Sequence, residues 1–249
     1  MPLPRIGAQL LVFAQKYNFD KDTDLILDCV QKAGYVAVEG GAADPVAYRR
    51  KLEARGLLYG GSHTGLKALL DVKPLVQYLQ AAGGQDLCNS ALMDWNARTL
   101  ADYKTGIEVL NRAGRQLRDQ GIHLHYHNHD FEFQKVDGVK TGMDLLLDGL
   151  DFSVVDFCID VAWVTVAGLD AAQFLKRHKD RIGYLHFKDH DGQSWIELGQ
   201  GRVDLPGIMK VLPELTRVRW VMIEQDSTKI EPCASATLSR AFLRDSYGY

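Results

Sequence analysis

The chain has 249 residues, 46% hydrophobic and 24% charged, a globular composition with material for a large core and no signature of disorder. A formal charge of −3 and a pI near 6.2 argue against the basic footprint of a nucleic-acid or acidic-membrane binder, and no apolar run approaches the roughly 18 residues of a membrane helix. The opening "MPLPRIGAQLLVFAQ" has too short an apolar core for a secretory signal. The four cysteines, Cys29, Cys88, Cys158 and Cys233, form no C-x-x-C pair, so free thiols and a cytoplasmic location are expected.

In chain order, short apolar runs alternate with segments of helical period. "RIGAQLLVF" reads as a strand and "KDTDLILDCVQKAG" as a helix closed by Gly34. "YVAVEGG" is a second strand, followed by the helix "DPVAYRRKLEARG" with Asp44 as N-cap, Pro45 in its first turn and Gly56 as its stop. "LLYGGSH" and "DVKPLVQYLQAAG" form the third strand and helix, and "DLCNSAL" and the amphipathic segment 97–120 form the fourth. Strands five to eight are "IHLHYHNH", "FSVVDFCID", "IGYLHFKD" and "RWVMIEQD". They are followed in turn by the helices "TGMDLLLDGL", "DAAQFLKRHKD", "DLPGIMKVLPEL" and the last twenty residues. Strands joined by helical crossovers run parallel, and eight such units in about 250 residues predict a (β/α)8 TIM barrel occupying 1–249 as a single domain. The rival, a doubly wound open sheet, would carry a G-x-G-x-x-G turn after its first strand, where this chain reads "VFAQKYNF".

A parallel barrel keeps its active site at the carboxyl ends of the strands, and those ends can be read off. Strand two ends in Glu39, three in His63, five in His127 and His129, six in Asp160, seven in His186 and Lys188, and eight in Glu224 and Asp226. Side chains two residues apart share a face, so each pair points one way, as do His125, His127 and His129 of "HYHNHDFEF". Carboxylates and imidazoles converging from different strands suit a divalent cation such as Mn, Mg, Co or Zn, and the set Asp160, His186 and Glu224 favours that reading. For Glu39, a structural ion pair and a functional role weigh equally. For Lys188, a salt bridge to Asp189 or to a metal-bound carboxylate stands beside a catalytic role.

"YHNHDFEF", "IDVAW" followed by "AGLD", "LHFKD" and "IEQD" resemble the xylose-isomerase-like barrel superfamily, in its sugar phosphate isomerase and epimerase branch, near inosose dehydratase. The resemblance covers essentially the whole chain and is most specific over residues 122–226. It implies a single-metal site with ligands from strands five to eight. Asp160, His186 and Glu224 match three of these, and the fourth, ordinarily a strand-five Glu, is either Glu132 or His127, with Glu132 preferred as a third carboxylate. Trp163 stands where multi-zinc relatives have a histidine, and the fourth strand offers "LCNS" with no histidine, which argues for one metal and against a DNA-repair site.

Such a site suits proton abstraction next to a carbonyl through a metal-stabilised enediolate. The expected proton-handling groups are Glu132, Glu224 and His127, with Lys188 donating to the developing oxyanion. His63, His129 and Trp163 are expected to hold the substrate. Reprotonation gives an isomerase or epimerase of a sugar. Loss of a β-leaving group would instead give a dehydratase or lyase of a keto-sugar or keto-inositol. A non-catalytic sugar-binding barrel is the third reading, against which the metal set argues. The partner is thus a small sugar or sugar derivative, with neither nucleic acid nor membrane involved and a homo-oligomer left open. In the loop after strand seven, Gly199, Gly201 and Arg202 could bind a phosphate or simply close over the site. An unphosphorylated substrate is preferred.

Overall fold

The computed structural model describes residues 3–96 and 98–249. Eight parallel strands close into a barrel: β1 (Arg5–Gln9), β2 (Ala37–Glu39), β3 (Leu58–Gly65), β4 (Asp86–Ser90), β5 (His123–His127), β6 (Val155–Asp160), β7 (Ile182–Phe187) and β8 (Trp220–Ile223). Each strand pairs with its sequence neighbour, and β8 returns to β1 with Arg5 opposite Trp220. This is the expected TIM barrel.

The crossovers follow their local signals. Helix α1 (Thr23–Ala33) ends on Gly34 at φ 92°, a left-handed position that costs glycine least. Helix α2 (Pro45–Glu53) starts on Asp44, whose carboxylate accepts from the Val46 and Ala47 amides. Helix α3 (Lys73–Ala82) follows β3, and α4 (Leu100–Arg118) opens with a Thr99–Asp102 capping box. The expected start of α4 at residue 97 lies outside the described residues. Helix α5 (Gly142–Gly149) repeats the box with Thr141 and Asp144. A short helix absent from the sequence reading, α6 (Val161–Val166), follows β6 directly, and then come α7 (Ala171–His178), α8 (Leu205–Val211) and α9 (Pro232–Tyr247). The first strand is also shorter than "RIGAQLLVF" suggests: Leu11–Gln15 coil into a 3-10 turn beyond Gln9, whose side chain accepts from the Leu11 amide.

Strand alternation sorts the core into two layers. Outward residues such as Val38, Leu124, Phe157, Leu185 and Val221 pack against the helices, while Ala37, Cys88, Cys158, Tyr184, Trp220 and Met222 fill the barrel interior. Met222 reaches across the interior so far that a Cβ on Gly7 or Gly60 would meet the end of its side chain, so glycine there leaves Met222 room to fill the barrel. Above this plug, the inward positions turn polar. Among the described residues, no helix is long and apolar enough to cross a membrane.

Candidate metal centre and sugar cleft

At the mouth, four buried side chains from consecutive strands converge: His127 from the end of β5, Asp160 from β6, His186 from β7 and Glu224 just beyond β8. One ligand-type atom from each lies within 4.8 Å of all the others. His127 Nε2 is 3.8 Å from Asp160 Oδ2 and 3.7 Å from Glu224 Oε2, and His186 Nδ1 meets the same Glu224 oxygen. Both nitrogens of His127 and Asp160 Oδ2 are buried without a hydrogen-bond partner among the described residues, and His186 Nδ1 and Glu224 Oε2 have only each other. Buried polar atoms are ordinarily paired, so His127 Nε2 and Asp160 Oδ2 converging beside Glu224 and His186 fit a cation site. Spacings under 4 Å are those expected of donors sharing an ion at about 2.0–2.2 Å.

The surroundings aim these donors. Asp160 divides its oxygens: Oδ1 accepts from the Ala162 and Trp163 amides at 2.9 and 3.2 Å and so starts α6, leaving Oδ2 for the cluster. Asn128 accepts from the Asp160 amide at 3.0 Å and fixes the strand end. Glu39, fully buried, contacts His186 Nε2 at 2.9 Å and His63 Nδ1 at 2.7 Å. Burial alone would raise the Glu39 carboxyl, but the two imidazoles outweigh it and hold it well below the carboxylate range. His186 is raised in turn, its burial overcome by Glu39 and Glu224. A carboxylate behind a ligating imidazole orients the ring and strengthens it as a donor. Of the two roles open to Glu39, the structure thus shows an ion-pair partner that points a ligand-type histidine at the cluster.

Lys188, also fully buried, sets its ammonium 2.6 Å from Asp226, 3.4 Å from Glu224 and 3.8 Å from Asp160, beneath the rings of Trp195 and Trp163. Burial opposes its charge, yet the three carboxylates raise it above its ordinary value. Its salt bridge runs to these carboxylates and not to Asp189. Glu224 is pushed well down, Lys188 and His186 outweighing burial, while Asp226 is raised by burial. Asp160 is likewise raised, to about 7, because burial exceeds the pull of Lys188.

Glu132 does not join the cluster, a correction to the expected ligand and base set. Tyr126, between the inward His125 and His127, points outward into the helix layer, and its hydroxyl donates to Glu132 Oε1 at 2.7 Å. The His129 amide donates to the other oxygen at 2.7 Å. Both oxygens are therefore spent on the far side of β5, while His127, the other fourth-ligand candidate, has a ring nitrogen within the cluster. His125 lies deeper, its Nε2 3.0 Å from Asp86.

A cleft of about 580 Å³ opens over the cluster, lined by His63, His127, His129, Trp163, Glu224 and Asp226 among others. Its size is that of a small-molecule site. All three expected substrate-holding residues, His63, His129 and Trp163, face it, joined by Trp95, which the sequence reading passed over and whose ring centroid lies 4.9 Å from that of His129. Burial lowers His129 to about 4, so its ring is neutral. The glycine loop after β7 is already occupied: Asp189 accepts from the Gly199, Gly201 and Val203 amides at 3.0, 3.0 and 3.1 Å. A carboxylate sits where a phosphate would need those donors.

Residues 30–246 match the family model of the xylose isomerase-like TIM barrel. The inosose dehydratase of Geobacillus kaustophilus is 24% identical over 88% of this chain and 86% of its own length. Other inosose dehydratases match over about half of theirs, 54% in two cases. A sugar phosphate isomerase/epimerase from Parabacteroides distasonis superposes with a TM-score of 0.82 at 22% identity, covering 96% of this chain and 97% of that one. The D-allulose 3-epimerase of Methylomonas sp., solved with D-allulose, superposes with a TM-score of 0.76 at 18% identity over 99% and 98% of the two chains. A closed eight-stranded barrel with its polar residues gathered at one rim, matched by that model over most of its length, belongs to the xylose isomerase-like TIM barrel family.

Proposed function

We propose that the protein is a divalent-metal-dependent isomerase or epimerase that removes a proton next to the carbonyl of an unphosphorylated keto-sugar. The observation that carries this reading is the set of converging, buried donor atoms on the floor of a sugar-sized cleft. His127, Asp160, His186 and Glu224 would hold one ion, with Mn, Mg, Co and Zn all compatible with two carboxylates and two imidazoles. When bound, it supplies Lewis-acid polarisation of adjacent substrate oxygens.

The chain's own residues handle the proton. The Lys188 ammonium, held by three carboxylates, donates to the substrate oxygen on which charge develops. Asp226 lines the cleft, is not needed as a ligand and is raised by burial, so it replaces Glu132 as the base. Trp163 offers the sugar an apolar wall, and His63 Nε2 and His129 Nδ1 have no hydrogen-bond partner among the described residues. The Asp189-filled loop supports a neutral substrate over a phosphorylated one.

The likeness to inosose dehydratase over 88% of the chain favours one second reading. A dehydratase shares the proton-abstraction step and then expels a β-hydroxyl. NMR in D2O with a panel of keto-sugars and keto-inositols tests both. Metal-dependent exchange of the carbon-bound proton with epimer or isomer formation supports the first reading, and a growing ultraviolet band of a conjugated ketone supports the second. Exchange should vanish in Lys188→Met and Asp226→Asn while elemental analysis still finds about one metal per chain. Binding with neither exchange nor product formation would leave only a sugar-binding barrel and refute both.

A further inference from the structure

A second cleft of about 480 Å³ adjoins the first across Trp163, which lines both. It lies on the same face of the barrel, between α6, the hairpin of Asp189–His190 and Trp195–Ile196, and the loop after β8. The partition is aromatic. Trp163 and Trp195 meet edge to face with centroids 4.6 Å apart, and both cover the Lys188 ammonium, so the second cleft begins one ring's thickness from the proposed chemistry.

The other walls are polar and largely uncharged: Gln15, Gln193, Ser194, Ser227 and Thr228, with Lys229 at the rim. They are also braced. The Thr228 amide donates to Gln15 and its hydroxyl to Glu197, each at 2.8 Å, and Asp191 ties the hairpin turn through the Gln193 and Ser194 amides at 2.7 Å. Two lining groups, Trp163 Nε1 and His190 Nε2, have no hydrogen-bond partner among the described residues. An indole face beside amides and hydroxyls is the chemistry that binds a sugar ring, apolar against its C–H face and polar against its hydroxyls. A phosphate would find the exposed Lys229 here and, behind Gly192, the Arg202 guanidinium, both already near the Asp191 carboxylate.

We infer that this cleft is a second glycosyl subsite, so that the substrate is a disaccharide or glycoside. Its keto-bearing ring lies over the His127–Glu224 cluster and its second ring lies beyond Trp163. This rests on the proposed sugar chemistry of the first cleft and extends it to a two-ring substrate.

The test measures binding to metal-loaded protein by tryptophan quenching and calorimetry, with D-glucose, maltose, cellobiose, gentiobiose and glucose 6-phosphate as probes. At least one disaccharide should bind tenfold or more tightly than glucose. Ser227→Phe, which fills the cleft from the β8 loop, should remove that gain while leaving glucose binding unchanged. Val166→Phe narrows the opposite wall and repeats the test should the first variant fold poorly. Equal or weaker binding of every disaccharide overturns the inference, as does a gain that both variants retain. Tighter binding of glucose 6-phosphate that is lost in Lys229→Met overturns it too, in favour of an anion site. A disaccharide preference without metal-dependent proton exchange would instead sink the proposed reaction and leave the subsite standing.

Discussion

Strand β5 carries two fully buried histidines two residues apart, and they occupy opposite kinds of environment. His125, toward the barrel floor, meets Asp86, whose other oxygen accepts from the Trp220 indole at 3.2 Å and which Arg219 approaches at 3.4 Å. Only one ring nitrogen there is left open. His127, at the mouth, has neither nitrogen hydrogen-bonded among the described residues and faces the Asp160 and Glu224 carboxylates. Burial and residue type are the same at both positions. The difference lies in satisfaction: among the described residues the network around His125 is closed but for one ring nitrogen, while His127 has neither nitrogen paired.

The sharpest way to break this contrast is Asp160→Asn. The amide keeps an oxygen for the Ala162 and Trp163 N–H groups, so α6 still starts normally, but the charge facing the cluster is gone. Bound metal should be lost and turnover should fall on the order of 10³-fold, with the fold intact by circular dichroism. Retained metal and activity would show that the open network is not the centre. At the closed end the effect should be on stability. His125→Ala leaves a cavity and takes one partner from a buried carboxylate, at a cost of about 2–4 kcal/mol in denaturant unfolding. Turnover per folded molecule should stay near normal, and metal loss from a well-folded His125→Ala would erase the distinction between the two ends.

Much of the mouth was legible because strand geometry is simple. Alternation with period two and the position of strand ends place Asp160, His186, Lys188, Glu224 and Asp226 around one cavity from sequence alone. Beyond the last strand residue that rule stops. Glu132 sits in a 3-10 turn whose direction depends on Tyr126, and no periodicity encodes where such a turn sends a carboxylate. Asp189 was invisible as a loop anchor for the same reason, since its partners are amides ten to fourteen residues away. The period-two rule did contain His127 as a candidate. Preference for a third carboxylate pointed elsewhere.

A smaller effect should come from Glu39, which touches no substrate. Glu39→Gln keeps the shape beside His63 and His186 but removes the charge that raises His186. Metal affinity should weaken roughly 10–100-fold, as for other carboxylates behind ligating histidines, with saturating metal restoring turnover. Failure of excess metal to rescue would mean that Glu39 acts on the chemistry directly.

The mildest prediction concerns Glu132 and tests its removal from the site. Burial raises its carboxyl to about 7 from an ordinary 4.5, against the opposing pull of the Tyr126 hydroxyl and the His129 amide. The folded protein therefore favours the protonated form. The stabilisation this gives is fully present below about pH 4.5 and is lost as pH rises through about 7, an upper bound of ~3 kcal/mol from the shift. Glu132→Gln imitates the neutral carboxyl: its oxygen can accept from the His129 amide while the Tyr126 hydroxyl turns to accept from the side-chain nitrogen. Stability measured by urea unfolding at steps from pH 4.5 to 8 should decline less in the variant than in the parent, with near-parity at the acid end. Metal content and turnover should be close to normal, because neither oxygen faces the cluster. If Glu132→Gln loses its metal while folded, the carboxylate does reach the centre and His127 is not the fourth ligand.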